Sequence, residues 1–378
     1  METIPNPAVL RWARERLNLS VEELSHLVGK DPETIIKWEA GEDAPSYSAL
    51  ESLAYRHLKV PIAVFFFPEP PEGCDPVGEF RRLPDSELER LSPNTLHLVN
   101  RGVAYQDSLI EFLGPVGSKR RIFDDLDRSV GALALARRTR EYLGISVEDQ
   151  FGFQDCEQAF KAWRHALEMA GVFTFKDTMK DEFISGFCLL HHAYPIIFVN
   201  NSNAHPRQVF TLAHELGHIM VGIQGVTDIN EAYIGAMSGP ERRREIACNA
   251  FAAEVLVPEQ VFRRELGLLR VEGISAIGTL ADKYSVSREV ILRRCRDFGI
   301  ISDEDYSAKV EEFMLDYRRG RRPSSGGNYY LTKLAYLGEG FTSIAFDLYR
   351  RGRISKTDLA GHLNMNGLYI DRLQQHLG

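Results

Sequence analysis

The segment from Val209 to Gly222, VFTLAHELGHIMVG, constrains the fold more than any other part of the chain. Its pattern is that of an apolar helix interrupted by the polar residues His214, Glu215 and His218. Burying two imidazoles and a carboxylate in so apolar a helix is costly unless a ligand or internal partners satisfy them. The segment therefore predicts a buried helix that carries a polar site.

The spacing of these three residues, H-E-x-x-H, indicates a metal site. His214 and His218 are four residues apart and lie on one helical face, where both imidazoles can bind a single zinc ion. Glu215 then lies beside the open position of that metal. The alternative is that both histidines are core residues with internal partners and that Glu215 is an ordinary charged residue.

A later helix, EIACNAFAAEVL, offers the third protein ligand. Its first residue, Glu245, shares a helical face with Asn249, so the carboxylate can bind the metal while the amide orients a ligand histidine. Three protein ligands and a water make a catalytic zinc site, with one Zn²⁺ per chain. In such a site Glu215 is the general base for attack on a peptide carbonyl. Zinc is preferred over magnesium because imidazole is a borderline ligand.

Three short β-branched and aromatic runs precede the metal helix, at residues 172–175, 185–190 and 196–200. They predict a small antiparallel sheet within a mainly α-helical, α+β fold. The last run could hold an extended substrate by edge pairing, or it could be an ordinary buried strand.

Several other residues with suggestive chemistry are interpreted as structural. His191, His192 and His205 are expected to be ordinary loop or strand residues rather than ligands. Arg207 is expected to pack at a helix start, and Cys248 to be small and buried rather than metal-binding.

The amino-terminal residues 6–57 show the pattern of four or five short helices. Ser20 and Glu23 form a capping box that opens the second helix, and Gly29 ends it. Asp31 and Pro32 start a third helix, which ends at Gly41. The pattern predicts helix, tight turn, helix.

This stretch, with its segment WEAGEDAPS, resembles the helix-turn-helix of Cro/CI-type (XRE) repressors. The resemblance implies that the helix from Asp31 to Ala40 enters a major groove, with Thr34 and Lys37 as candidate contacts. Residues 1–70 nevertheless carry 7 basic and 11 acidic side chains, a net charge of −4. A helical module for protein contact or dimerisation is therefore the alternative.

The carboxyl-terminal third is again helical in pattern. Residues 271–306 have helix, turn, helix character, and Ser287 is expected to cap a helix that carries four arginines. We expect a packing subdomain with these arginines on a solvated face, nucleic-acid binding being the alternative. The segment Arg318 to Asn328, RRGRRPSSGGN, is expected to be a loop, and no internal repeat is evident.

The two motif segments RQVFTLAHELGHIMV and EIACNAFAAEVLVP are similar to those of the ImmA/IrrE metallopeptidases. The resemblance implies a zincin-like peptidase with ligands His214, His218 and Glu245 and general base Glu215. It also implies a DNA-binding repressor as substrate and control of stress, mobile-element or phage genes. A cognate toxin is the alternative partner, in which case the chain is a regulator or antitoxin.

These patterns divide the chain into five parts. We expect a helix-turn-helix domain (1–70), a Pro-rich linker and helical connector (71–125), the peptidase domain (126–265), a helix-turn-helix-like subdomain (266–310) and a helical region (311–378).

Composition indicates the cellular compartment and the classes of partner that we expect. The formal charge is −8, so any nucleic-acid contact must be local, and the longest apolar run, VPIAVFFFP, is too short to span a membrane. Five scattered cysteines with no C-x-x-C pair predict a reducing cytoplasm. We expect no membrane partner, and the sequence is compatible with a homodimer.

Overall fold

The computed structural model describes residues 4–17, 19–58, 60–71, 92–115, 121–181, 184–222, 225–227, 239–320 and 328–377. It divides into two compact units, one of residues 1–103 and 179–181 and the other of residues 104–178 and 182–378. Most of the expected Pro-rich linker and of the basic loop near residue 320 lies outside the described residues. The five-part division of the chain stays a prediction.

The first unit contains four short helices, in agreement with the sequence pattern: α1 Pro7–Glu15, α2 Val21–Val28, α3 Pro32–Ala40 and α4 Tyr47–Ser52. The capping box of Ser20 and Glu23 is formed, and Gly29 ends α2 with φ of 65°. Buried Glu39 accepts two hydrogen bonds from Arg14, at 2.7 and 2.9 Å. This ion pair ties α3 to α1, so the charged residue of the W-E segment has a structural partner.

The helix α5 Pro93–Leu113 begins in the first unit and ends in the second. The second unit continues with α6 Ile122–Asp125, α7 Ala132–Leu143, α8 Val147–Phe151 and α9 Cys156–Met169. After the first strands come α10 His205–Val221, α11 Gly239–Leu256, α12 Glu259–Glu272, α13 Ala276–Tyr284 and α14 Arg288–Asp297. The remaining helices are α15 Asp303–Gly320, α16 Tyr329–Leu337, α17 Glu339–Arg350, α18 Lys356–His362 and α19 Ile370–Gln374.

The sheet has four strands, β1 Phe173–Asp177, β2 Gly186–Leu189, β3 Ile196–Asn200 and β4 Gly225–Thr227, in the order β1-β3-β2-β4. The α+β class is confirmed, but the expectation of a purely antiparallel sheet is wrong. β3 lies between β1 and β2, and it pairs parallel with β1 and antiparallel with β2. Its continuous apolar run is typical of a strand that is buried on both faces.

The helix α10 packs on β2 and β3, and α11 packs closely against α10, an approach that Gly217 allows. A Cβ atom at Gly217 would lie 3.2 Å from Cδ1 of Phe251 and 3.4 Å from Cα of Cys248. A side chain at this position would separate the two helices. The close packing places the polar residues of α10 opposite the first half of α11.

Two of the four arginines of α14 do not lie on the solvated face that the sequence suggested, whereas Arg288 is exposed and Arg296 partly exposed. Arg293 and Arg294 are buried, at 6% and 4% exposure. Arg294 donates hydrogen bonds to the carbonyl of Val257 and to the carboxylate of Glu254. α14 therefore faces the core of the second unit, because the buried carboxylate of Glu254 requires a cation as a partner.

The carboxyl-terminal helices belong to the same unit as the sheet. Arg164 of α9 donates to the carbonyl of Ala335 at 2.6 Å and to Glu168 at 3.2 Å. The backbone N–H of Gly340 donates to Glu168 at 3.0 Å. These contacts connect α9 to the α16–α17 junction, so the last helices are an integral part of this unit. No helix in the described part of the chain is long and apolar enough to cross a membrane.

Candidate metal centre

Three potential ligand atoms converge between α10 and α11. The Nε2 atoms of His214 and His218 are 3.0 Å apart, and each lies 3.3 Å from an oxygen of Glu245. One ligand atom from each residue lies within 4.8 Å of the others, and this is the only group of metal-binding type found in the described residues. Both histidines are buried. The arrangement can hold a metal ion.

Asn249 lies one turn beyond Glu245 and contacts a histidine on its other side. Its Oδ1 is 2.9 Å from Nδ1 of His214, and both side chains are buried. The amide oxygen can only accept, so Nδ1 carries a proton, and in the neutral form of the ring Nε2 keeps its lone pair. That lone pair is on the side of Glu245 and His218, as a ligand nitrogen requires.

The carboxylate of Glu215 is fully buried next to strand β2. Gly186 of this strand faces it: a Cβ atom there would lie 3.6 Å from Oε1 of Glu215. The same Cβ would approach Cγ2 of Thr211 and the carbonyl oxygen of Phe198 to 2.6 Å. Only glycine fits between β3 and α10 at this point, so Gly186 allows β2 to pack close to the helix beside the carboxylate.

The electrostatics of the cluster favour a charged carboxylate. Burial alone would raise the pKa of Glu245, but hydrogen bonds from His214 and His218 outweigh it and hold that pKa well below its usual range. Burial likewise opposes the charged form of His218, yet the nearby Cys248 and Glu245 raise the pKa of His218 well above its usual value. A buried anion beside two imidazoles is a donor set that attracts a divalent cation.

The other singled-out residues lie away from this cluster. Nδ1 of His191 accepts from the backbone N–H groups of Ala193 and Tyr194, both at 3.1 Å, and His205 is exposed at the start of α10. His192 is 3.1 Å from the carbonyl of Pro115.

Arg207 and Cys248 also have structural surroundings. Nε of Arg207 donates to Oγ of Ser185 at 2.9 Å, which links the first turn of α10 to the segment before β2. Cys248 is buried against Gly217 and does not belong to the metal-binding group.

The idea that β3 holds substrate by edge pairing is wrong. β3 lies between β1 and β2, and both of its edges are occupied. The free edges of this sheet, within the described residues, belong to β1 and β4.

Sequence reasoning missed the role of Glu254, in the same helix as Glu245. It is buried, and Nε of Arg137 donates to it at 2.8 Å, while Arg294 approaches it from α14. Glu254 thus fixes the far end of α11 between α7 and α14. A charged residue within the apolar run AFAAEVL was the available signal, because a buried carboxylate needs cationic partners.

The candidate DNA contacts lie on α3. Thr34 is half-buried and Lys37 is exposed. Nζ of Lys37 is 2.9 Å from the carboxylate of Glu33, one turn earlier. The structure thus leaves both residues on the outer side of the helix, but with the lysine in an ion pair.

Comparison with known proteins identifies both parts. Residues 167–296 match the family model described as the IrrE N-terminal-like domain, and residues 10–64 match the helix-turn-helix family model. This chain joins a helix-turn-helix domain to an IrrE-like peptidase-family domain. Both resemblances noted in the sequence are confirmed.

A curated relative supports the assignment. Over 94 residues the chain is 38% identical to the radiation response metalloprotease IrrE of Deinococcus radiodurans. The alignment covers 24% of this chain and 28% of that protein's length. The likeness therefore concerns a limited part of each protein. The relative is named as a metalloprotease, and this chain carries a cluster of two histidines and one glutamate that could hold a metal ion.

Proposed function

We propose that the chain is a zinc-dependent endopeptidase in which His214, His218 and Glu245 hold the metal and Glu215 is the general base. The observation that carries this proposal is the convergence of three ligand atoms within 4.8 Å, beside a fully buried carboxylate on the same helix. On this proposal the peptidase domain extends over residues 126–265.

The residues present fit a zinc ion. Two imidazole nitrogens and one carboxylate oxygen are a usual donor set for a catalytic zinc site, and Asn249 supports the first histidine from behind. When bound at such a site, zinc activates water and polarises a carbonyl group. Magnesium is a poor fit, because it prefers oxygen ligands and water.

The chain's own contribution to catalysis is proton transfer. Glu215 accepts a proton from the attacking water and returns it to the leaving amine, which makes peptide cleavage feasible near neutral pH. This carboxylate is fully buried, on the same helix as His214 and His218 and close to the backbone of Gly186.

The proposed substrate is an XRE-type transcriptional repressor, whose cleavage relieves repression of stress or mobile-element genes. The support is the fused helix-turn-helix domain over residues 1–70, which can bring the peptidase to the DNA where such a repressor binds. In this domain Thr34 and Lys37 are the proposed DNA contacts.

The test uses the full-length chain and the regulator encoded next to it. Wild type, Glu215→Gln and the matched surface variant Glu141→Gln are each purified with zinc, incubated with the regulator and analysed by intact mass. We expect cleavage by wild type and by Glu141→Gln, and none by Glu215→Gln at unchanged zinc content, because the amide cannot accept a proton.

Two outcomes would contradict the proposal. If Glu215→Gln cleaves at the wild-type rate, Glu215 is not the base. If no variant cleaves and Glu215→Gln still complements a deletion strain, the chain acts as a non-proteolytic regulator or antitoxin that binds a partner.

A further inference from the structure

The last two helices of the chain repeat the amino-terminal helix-turn-helix. Adding 335 to each residue number aligns α18 with α2, and aligns the 3-10 turn Gly367–Tyr369 together with α19 with α3. Only three of nineteen aligned positions between 20–38 and 355–373 are identical, so the repeat is not evident in the letters. The buried positions nevertheless correspond one to one: Leu24 with Leu359, Ile35 with Ile370 and Trp38 with Leu373. The two segments thus resemble each other in burial and turn geometry rather than in sequence identity.

The first helix and the turn agree in detail. Ser355 caps α18 in a capping box with Asp358, as Ser20 caps α2. Asn364 follows the first helix with φ of 48°, and Gly29 has φ of 65° at the same place. A left-handed residue between two helices, with a capping box before the first, is the geometry of a helix-turn-helix.

The second helix starts differently, because Asp31 makes no side-chain cap at α3, whereas Asn366 caps a 3-10 turn, Gly367–Tyr369, that precedes α19. Asn366 stands where Asp31 stands, and its side chain accepts from the backbone N–H of Leu368 at 2.9 Å. The backbone N–H of Met365 donates to Ala360 at 3.0 Å, as Lys30 donates to Ser25 at 3.0 Å. Both turns are thus closed by the same hydrogen bond.

The helix pair α13–α14 has the same turn, at Ser285 with φ of 53°, but it cannot present its second helix. Ile291, Leu292 and two arginines of α14 are buried in the peptidase core. In the last pair, by contrast, Leu368 and Tyr369 are 80% and 42% exposed. Of these two pairs, only the last is open to a partner.

Charge also favours the last pair. Residues 329–378 contain six basic and four acidic side chains, a net charge of +2, against −4 for residues 1–70. Arg350, Arg351 and Arg353 are exposed where α17 leads into α18; the first two pair with Asp347, and Arg353 makes no ion pair with a described residue. The preceding segment 318–328 adds four arginines in sequence. A positive local charge is the footprint expected of a polyanion-binding surface in an acidic protein.

One pair of equivalent positions shows the difference most directly. Lys37 of α3 corresponds to Arg372 of α19, and Glu33, which pairs with Lys37, corresponds to Leu368. Within the described residues the Arg372 guanidinium makes no ion pair, and the residue is exposed. An arginine in this place has its full set of donors available to a ligand.

We propose that α18 and α19 form a second DNA-contacting unit that binds duplex DNA, with α19 in the major groove. Arg372 contacts a guanine edge, and exposed Leu368 packs against a thymine methyl group, since both are common readout contacts. The arginines before α18 contact phosphates. This contact buries the side chain of Leu368, which is 80% exposed in the protein alone.

The test measures DNA affinity of the full-length protein with a labelled mixed-sequence 30-bp duplex at about 50 mM salt and over a salt series. We expect Arg372→Ala to weaken binding about fivefold or more. The double variant Arg351→Ala/Arg353→Ala should lower the slope of log affinity against log salt by about two. The matched variant Arg138→Ala, on exposed α7, should change neither quantity.

Circular dichroism and a thermal melt verify that each surface variant is folded. The proposal is overturned if the wild type does not bind the duplex at the lowest salt, or if Lys37→Ala abolishes binding while the α19 variants bind like wild type. It is also overturned if Leu368→Ser converts a dimer to a monomer in sedimentation and leaves DNA affinity unchanged, because α19 is then a protein contact. These results do not depend on peptidase activity.

Discussion

Replacement of Asn249 by alanine removes the hydrogen-bond partner of a proposed metal ligand, His214, and leaves all three proposed ligands in place. The side chain is 7% exposed, and its Oδ1 is 2.9 Å from Nδ1 of fully buried His214. In Asn249→Ala the Nδ1–H loses this acceptor, and the imidazole is free to rotate or to change tautomer. Nε2 of His214 is then no longer held toward Glu245.

The magnitude follows from two independent estimates. A buried donor left without a partner costs about 1 to 3 kcal/mol. Loss of a supporting group behind a metal-bound histidine lowers metal affinity about 10-fold to 100-fold, which corresponds to about 1.4 to 2.8 kcal/mol. The two ranges agree, so we expect the zinc dissociation constant of Asn249→Ala to rise by one to two orders of magnitude.

The assay is competition for zinc between the protein and a chromophoric chelator at fixed pH. Asn249→Asp is the matched control, since a carboxylate keeps the acceptor and should retain affinity close to that of the wild type. A dissociation constant for Asn249→Ala equal to that of the wild type would show that the amide does not orient His214. Equal weakening in both variants would assign the effect to packing of α11 instead.

Two further predictions concern stability. Burial lowers the pKa of Lys176 from 10.5 to about 8, so the charged amine costs stability below pH 8, and that cost disappears as pH rises toward 10.5. The free energy of unfolding of Lys176→Met at pH 7 should therefore exceed that of the wild type by about 1 to 3 kcal/mol. Urea unfolding at pH 7 and pH 10 measures this difference, and a difference that does not shrink by pH 10 would refute the prediction. Gly338 has φ of 87°, and a Cβ there would overlap the guanidinium of Arg164. Gly338→Ala should lower the thermal midpoint through a cost of about 1 to 3 kcal/mol, whereas Gly278→Ala, in open space on α13, should not.

The sequence by itself determined the local features of this protein. The spacing of His214 and His218 places both on one face of a helix, whatever surrounds it. Ser20 with Glu23 determines where α2 starts, because the cap is made by residues three apart. The W-E segment and the H-E-x-x-H motif were also sufficient to recognise both families. These features depend on neighbours along the chain, which the sequence displays directly.

The tertiary structure decided what depends on distant partners. The apolar run of β3 is compatible with an edge or a central strand, and only its insertion between β1 and β2 made the sheet mixed. The arginines of α14 have the spacing of a solvated face. Arg294 is nevertheless buried, because it donates a hydrogen bond to buried Glu254, 40 residues away in sequence.

The repeat of the helix-turn-helix was also hidden from the sequence. Asn364 at the position of Gly29 and Met365 at the position of Lys30 keep the same backbone turn without residue identity. Many side chains satisfy the same backbone turn and the same apolar pocket, so these constraints appear only in three dimensions. Chain neighbours set local geometry, whereas burial and pairing are set by whichever segments the folded chain brings into contact.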